Sequence, residues 1–93
     1  MEKTRRDGEY KQWHENGQIL KHCFYVEGRK HGEYKTWYET GQLKLQCFYL
    51  NGELDGEYKK WHRNGRLHEH CFYAKGKLHG EYRKWNKRGI LIE

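Results

Sequence analysis

Long apolar runs are missing from this sequence: the longest aliphatic run is Ile90-Leu91-Ile92, far short of the ~20 residues a membrane-spanning helix needs. Aliphatic side chains are scarce throughout. Leu, Ile, Val and Phe number 15 of 93 residues, which excludes a thick aliphatic core, because chain entropy has to be offset by apolar burial. Proline is absent, so no Pro-rich linker divides the chain, and the length allows a single domain, residues 1–93. Cysteine occurs only at positions 23, 47 and 71. An odd number cannot pair fully within one chain, which excludes a closed disulfide framework and points to a reducing compartment. The N-terminus carries Glu2, Lys3, Arg5, Arg6 and Asp7 with no apolar stretch behind them. No secretory signal is therefore expected, and the expected location is cytoplasmic.

What the chain has instead is rings and charge. Aromatics make up 16% of it, with four Trp and eight Tyr, beside 34% charged residues and a net charge of +6. Each ring can bury about 150–250 Å², so a thin aromatic core remains available. The rings recur with a period of 24 that needs no gaps. Gly-Glu-Tyr stands at 8–10, 32–34, 56–58 and 80–82, followed by Trp13, Trp37, Trp61 and Trp85 and by Gly17, Gly41, Gly65 and Gly89. Ile19, Leu43, Leu67 and Leu91 keep the spacing, as does Cys-Phe-Tyr at 23–25, 47–49 and 71–73. The units are 8–31, 32–55 and 56–79, with a partial fourth at 80–93.

Two glycine turns punctuate each unit, Glu15-Asn16-Gly17 and Glu27-Gly28 in the first. Asn-Gly and related pairs favour hairpin turns because Gly and Asn tolerate positive φ. The intervening segments of nine or ten residues show no helical period and no helix caps, so they read as strands, in an antiparallel meander of about seven plus a stub. Ideal two-residue and three-residue turns would repeat this meander every 25 residues, one more than the observed 24. A bulge of one residue per unit is expected, with Gly32, Gly56 and Gly80 as its sites.

The pattern Gly-Glu-Tyr-Lys-x-Trp-x-x-x-Gly-x-Leu followed by Cys-Phe-Tyr-x-x-Gly resembles the MORN repeat, in the variant found in bacterial proteins called antitoxin-like and in large DNA viruses. The resemblance covers residues 8–93. It implies an all-β, elongated, single-layer twisted antiparallel meander of stacked β-hairpins. It also implies a role as protein scaffold, oligomerisation module or phospholipid binder.

Candidate sites follow from the same spacing. Equivalent residues lie two strands apart, roughly 9.6 Å, so Cys23, Cys47 and Cys71 can neither form disulfides nor share a zinc ion. Histidine repeats at 48 rather than 24, pairing His14 with His62, His22 with His70 and His31 with His79, while Tyr38, Gln46 and Asp55 fill the middle unit. His68 and His70 share a strand face, and an ideal two-residue turn would set Glu81 opposite His70, which makes these three a candidate metal site. The main expectation is cross-strand polar pairing, with His22 and Glu33 as the equivalent pair. Glu9, Glu33, Glu57 and Glu81 are expected to form a cross-strand ladder with Lys11, Lys35, Lys59 and Arg83. Nothing assembles a nucleophile, a base and an orienting group, so no enzyme and no cofactor are expected.

A binding module is the expectation, with an unidentified protein partner and an antitoxin-like role. Tyr34, Lys35, Trp37, Tyr58, Lys59, Lys60, Trp61, Tyr82, Arg83, Lys84 and Trp85 interleave rings with cations and form the candidate surface. Such a set would also suit single-stranded nucleic acid, or an anionic phospholipid drawn by net charge. In a chain this short of aliphatics, Trp37 and Trp61 are expected to carry the fold, and burial of Trp61 would make its loss cost about 3–5 kcal/mol. Finally, Lys3, Arg5, Arg6 and Asp7 charge one sheet edge, whereas Ile90, Leu91 and Ile92 leave the other apolar. A homodimer through that edge is expected.

Overall fold

A computed structural model describes residues 7–93. The chain forms one antiparallel sheet of ten short strands: β1 (Gly8–Trp13), β2 (Ile19–Val26), β3 (Arg29–Lys30), β4 (Gly32–Trp37), β5 (Leu43–Leu50), β6 (Glu53–Leu54), β7 (Gly56–Trp61), β8 (Leu67–Ala74), β9 (Lys77–Leu78) and β10 (Arg83–Lys84). Neighbours follow chain order along β1-β2-β4-β5-β7-β8-β10, while β3, β6 and β9 continue the hairpins that begin at β2, β5 and β8. No helix occurs among the described residues, and none is long and apolar enough to cross a membrane. The body measures 53 × 36 × 12 Å, the thickness of a single layer. Residues Lys3, Arg5 and Arg6, which were expected to charge the first edge, lie outside the described part.

Each turn takes the form its residues favour. Glu27-Gly28, Asn51-Gly52 and Lys75-Gly76 have positive φ at both positions, from 51° to 87°, which is the type I′ geometry whose twist matches that of flanking strands. The longer turns place Gly17, Gly41, Gly65 and Gly89 at φ near 90°. There Gly17 N–H donates to the His14 carbonyl at 3.0 Å, and His14 N–H donates to that of Gln18 at 2.8 Å.

The register corrects the expected single bulge. Tyr49 faces Leu54 next to the type I′ turn, but Gln46 faces Lys59 beyond Gly56, a slip of two residues. Trp61 faces Leu67 while Lys60 faces Glu69, a slip of one in the opposite sense. The two irregularities together bring the repeat back to 24. Positive φ at Gly32, Gly56 and Gly80 accommodates the larger slip.

Only Cys23, Cys47 and Cys71 are buried among the described residues, each 1% exposed. All three thiols are free. The rings are less covered than a core would make them: Trp13 is 57% exposed, and Trp37, Trp61 and Trp85 are half-buried. A sheet without a second layer has nothing to lay over a large ring, so the expectation of a buried Trp61 does not hold. The last residues fold back on the preceding strand, with Trp85 opposite Leu91 and Ile92 N–H donating to the Lys84 carbonyl at 2.7 Å.

Candidate binding faces

Alternation along the strands gives the sheet two chemically distinct faces. One is built on tyrosine. Tyr10, Tyr34 and Tyr58 lie opposite Cys23, Cys47 and Cys71, and they meet Tyr25, Tyr49 and Tyr73 edge to face at 6.0, 5.4 and 5.5 Å. Lys21 and Lys30 ammonium groups stand over the Tyr34 ring at 5.5 and 5.0 Å. Burial pushes the Cys47 thiol up to about 12 and the Tyr49 and Tyr58 hydroxyls to about 12. Burial likewise raises Cys71. Such thiols stay protonated at neutral pH and are poor nucleophiles.

The opposite face carries a polar strip and an apolar strip side by side. In the polar strip, Glu9 pairs with Lys11 (3.9 Å), Glu33 with Lys35 (3.6 Å), Glu57 with Lys59 (3.7 Å) and Glu81 with Arg83 (3.0 Å). These pairs join residues two apart along the chain, and not residues on neighbouring strands as expected. The cross-strand partners of Glu9, Glu33 and Glu57 are instead the residues at positions 22, 46 and 70. His22 Nε2 lies 2.7 Å from Glu9 and His70 Nε2 lies 2.9 Å from Glu57, while the Gln46 amide donates to Glu33 at 2.9 Å. The two-residue slip explains why. It sets Arg83 opposite His70 and Lys35 opposite His22, so Glu81 and Glu33 are not the partners. The proposed trio His68, His70 and Glu81 is therefore not assembled, and no group of three metal-ligating side chains forms among the described residues.

The apolar strip follows two positions along the same strands. Phe24 and Val26, Phe48 and Leu50, and Phe72 and Ala74 succeed one another across the sheet. Val26, Leu50 and Phe72 remain 48%, 47% and 44% exposed. The triplet Cys-Phe-Tyr hides this strip in the sequence, because it looks like one apolar block. Alternation shows that its Phe points away from its Cys and Tyr.

The same alternation divides the candidate ring-and-cation surface. Tyr34, Tyr58, Tyr82, Lys60 and Lys84 lie with the cysteines, whereas Lys35, Lys59 and Arg83 lie on the polar strip of the other face. They do not form one platform. Trp37, Trp61 and Trp85 instead have their carbonyls captured, or their strands joined, by the unit before. The His14 imidazole donates from Nε2 to the Trp37 carbonyl (2.9 Å), the Tyr38 hydroxyl to that of Trp61 (2.7 Å) and the His62 imidazole to that of Trp85 (2.9 Å). Histidine at 14 and 62 and tyrosine at 38 thus do the same work, which accounts for one thread of the 48-residue alternation.

A family model described as MORN repeat variant matches residues 6–27, 30–51 and 54–75. Each match spans one long-turn hairpin and ends on a residue of the type I′ turn. No curated protein and no solved structure matches the chain.

Proposed function

This chain belongs to the MORN repeat variant family, a family of non-catalytic repeat modules, and from that premise we propose that it is a protein-binding scaffold. The observation that supports this reading is the apolar strip of Val26, Leu50 and Phe72, exposed on a flat sheet and bordered by ion pairs. An apolar centre with a polar rim is the anatomy of a protein interface. The finer form of the reading is antitoxin-like: the sheet lies across a partner protein and occludes it. Leu50→Asp together with Val26→Asp should abolish capture of that partner from the source cell while leaving the fold intact by circular dichroism. Unchanged capture by a folded double variant would refute the assignment of this strip.

Single-stranded nucleic acid suits the geometry less well, since the tyrosine rings pack edge to face on one another with Lys21 and Lys30 over them and do not lie open to stack on a base. Lys35 and Lys59 are also neutralised by Glu33 and Glu57. We further propose self-association through the apolar edge, where Ile90, Leu91 and Ile92 are 52%, 54% and 56% exposed.

A further inference from the structure

Repetition satisfies the needs of the fold, so a residue that departs from its equivalents answers to something else. At one turn position the units read Glu15, Glu39, Arg63 and Lys87, and at one strand position Gln12, Thr36, Lys60 and Lys84. Both positions change from acidic or neutral to basic midway along the sheet. The two changes meet in one cavity of about 400 Å³, lined by Lys60, Arg63, Lys87, His62, His68 and Tyr38, with Asn64 at its rim. No carboxylate lines it. The same positions one unit earlier supply Thr36, Glu39, Arg63, His14, Lys44 and Tyr38, in which Glu39 offsets the cations.

The walls are tied in place. The Asn64 amide donates to the Lys87 carbonyl at 2.8 Å, and His62 is fixed on the Trp85 carbonyl at 2.9 Å. His68 stacks on His62 with ring centroids 4.0 Å apart. Arg63 is engaged by Glu39 at 2.7 Å and lies 5.1 Å over the Tyr38 ring. Lys60 and Lys87, by contrast, make no ion pair among the described residues. Lys44 also stands over the Tyr38 ring, at 5.5 Å, so that ring is engaged by two cations and is a poor stacking platform for a base. No aliphatic side chain lines the cavity to receive an acyl chain. Charge is what remains for recognition, and about 400 Å³ lies within the ordinary range for a small-ligand site.

We infer that this cavity binds a small soluble anion bearing phosphate groups, held by the ammonium groups of Lys60 and Lys87 and by His68. Lys60 lies with the cysteines, His68 is the residue left unpaired by the register slip beside it, and no residue of the apolar strip lines the cavity, so the site stands independently of the docking role proposed for that strip. Binding should take up a proton. His68 meets Lys60 from β7, His62 just after that strand, Glu69 on its own strand, Lys84 from β10, and Tyr38, Arg63 and Lys87 across the cavity. Burial first, and then His62, hold it below the usual imidazole range. An anion beside it favours the charged imidazole, so affinity should rise as pH falls through that range.

The test is calorimetric titration of the full chain with inorganic pyrophosphate in physiological chloride, at about pH 7.5 and about pH 6. Saturable binding with one site per chain is expected, tighter at the lower pH. Lys60→Gln and Lys87→Gln should each weaken it about tenfold, the scale of one charge-assisted hydrogen bond. Lys59→Gln, on the opposite face, should change it by no more than about twofold, as screened charge predicts. Lys87 is an exposed turn residue, so its variant carries the test even if Lys60→Gln disturbs the fold. The inference is overturned by titration without saturation, or by an equal loss in Lys59→Gln, which would mean diffuse attraction. Binding confined to vesicles of phosphatidylserine, with none to pyrophosphate, overturns it as well.

Discussion

The thiol of Cys47 is 1% exposed although the sheet has no second layer. Tyr34 and Tyr49, edge to face at 5.4 Å, shelter it on its own face. This small residue can be covered by its neighbours' rings, whereas Trp61 cannot. The cost of Trp61→Ala should therefore be about 2 kcal/mol, below the ~3–5 of a fully buried ring, as measured by urea denaturation. The same shelter gives stability an alkaline limit. The Cys47 thiol rises from its ordinary 9.0 to about 12 on folding. Its contribution is intact below pH 9 and is lost as pH climbs from 9 towards 12, because only the unfolded chain then gives up the proton. Tyr49 and Tyr58, raised from 10 to about 12, act in the same direction. Melting temperature should fall above pH 9, and Cys47→Ala should flatten the first part of that fall.

Among the elements, the type I′ turns differ in how well their residues suit them. Asn51 sits at φ 52°, where asparagine is at ease, but Glu27 and Lys75 occupy the same region at 51° and 52°. Lys75→Asn should stabilise the protein by about 0.5 kcal/mol, since asparagine tolerates that backbone better. Gly56 is the contrasting position: its φ is 109°, and an added Cβ would meet the Phe48 side chain at 3.6 Å. Gly56→Ala should cost about 1–2 kcal/mol, chiefly from the backbone, in the same denaturation assay. Turns of this kind were legible in the sequence because their residue types and spacing recur. The slips were not, because a two-residue slip at Gly56 and a one-residue slip before Trp61 leave only their difference in the period. Without those slips, Glu33 and Glu81 would face His22 and His70, the places that Lys35 and Arg83 take. The phosphate cavity was hidden for a related reason, since Lys87 belongs to a different unit from Lys60 and Arg63 and is brought to them by stacking.

For the molecule as a whole, contacts run from each hairpin to the next, so stability should accumulate with the number of units. Light scattering at micromolar concentration should report twice the chain mass of 11.5 kDa if the Ile90-Leu91-Ile92 edge associates about a two-fold axis. The monomer mass, persisting at higher concentration, would rule that out. The slips described above also bear on heredity. Because they restore a step of 24 residues, a gene that duplicates or loses one whole unit hands every later strand the same neighbours and the same face. A single codon inserted within β5 has the opposite effect: it would turn Cys47 outward and Phe48 inward. Copying in whole units is thus the inexpensive route by which this sheet can lengthen, and each new copy is free to vary its turn residues, as Glu39 and Arg63 already do.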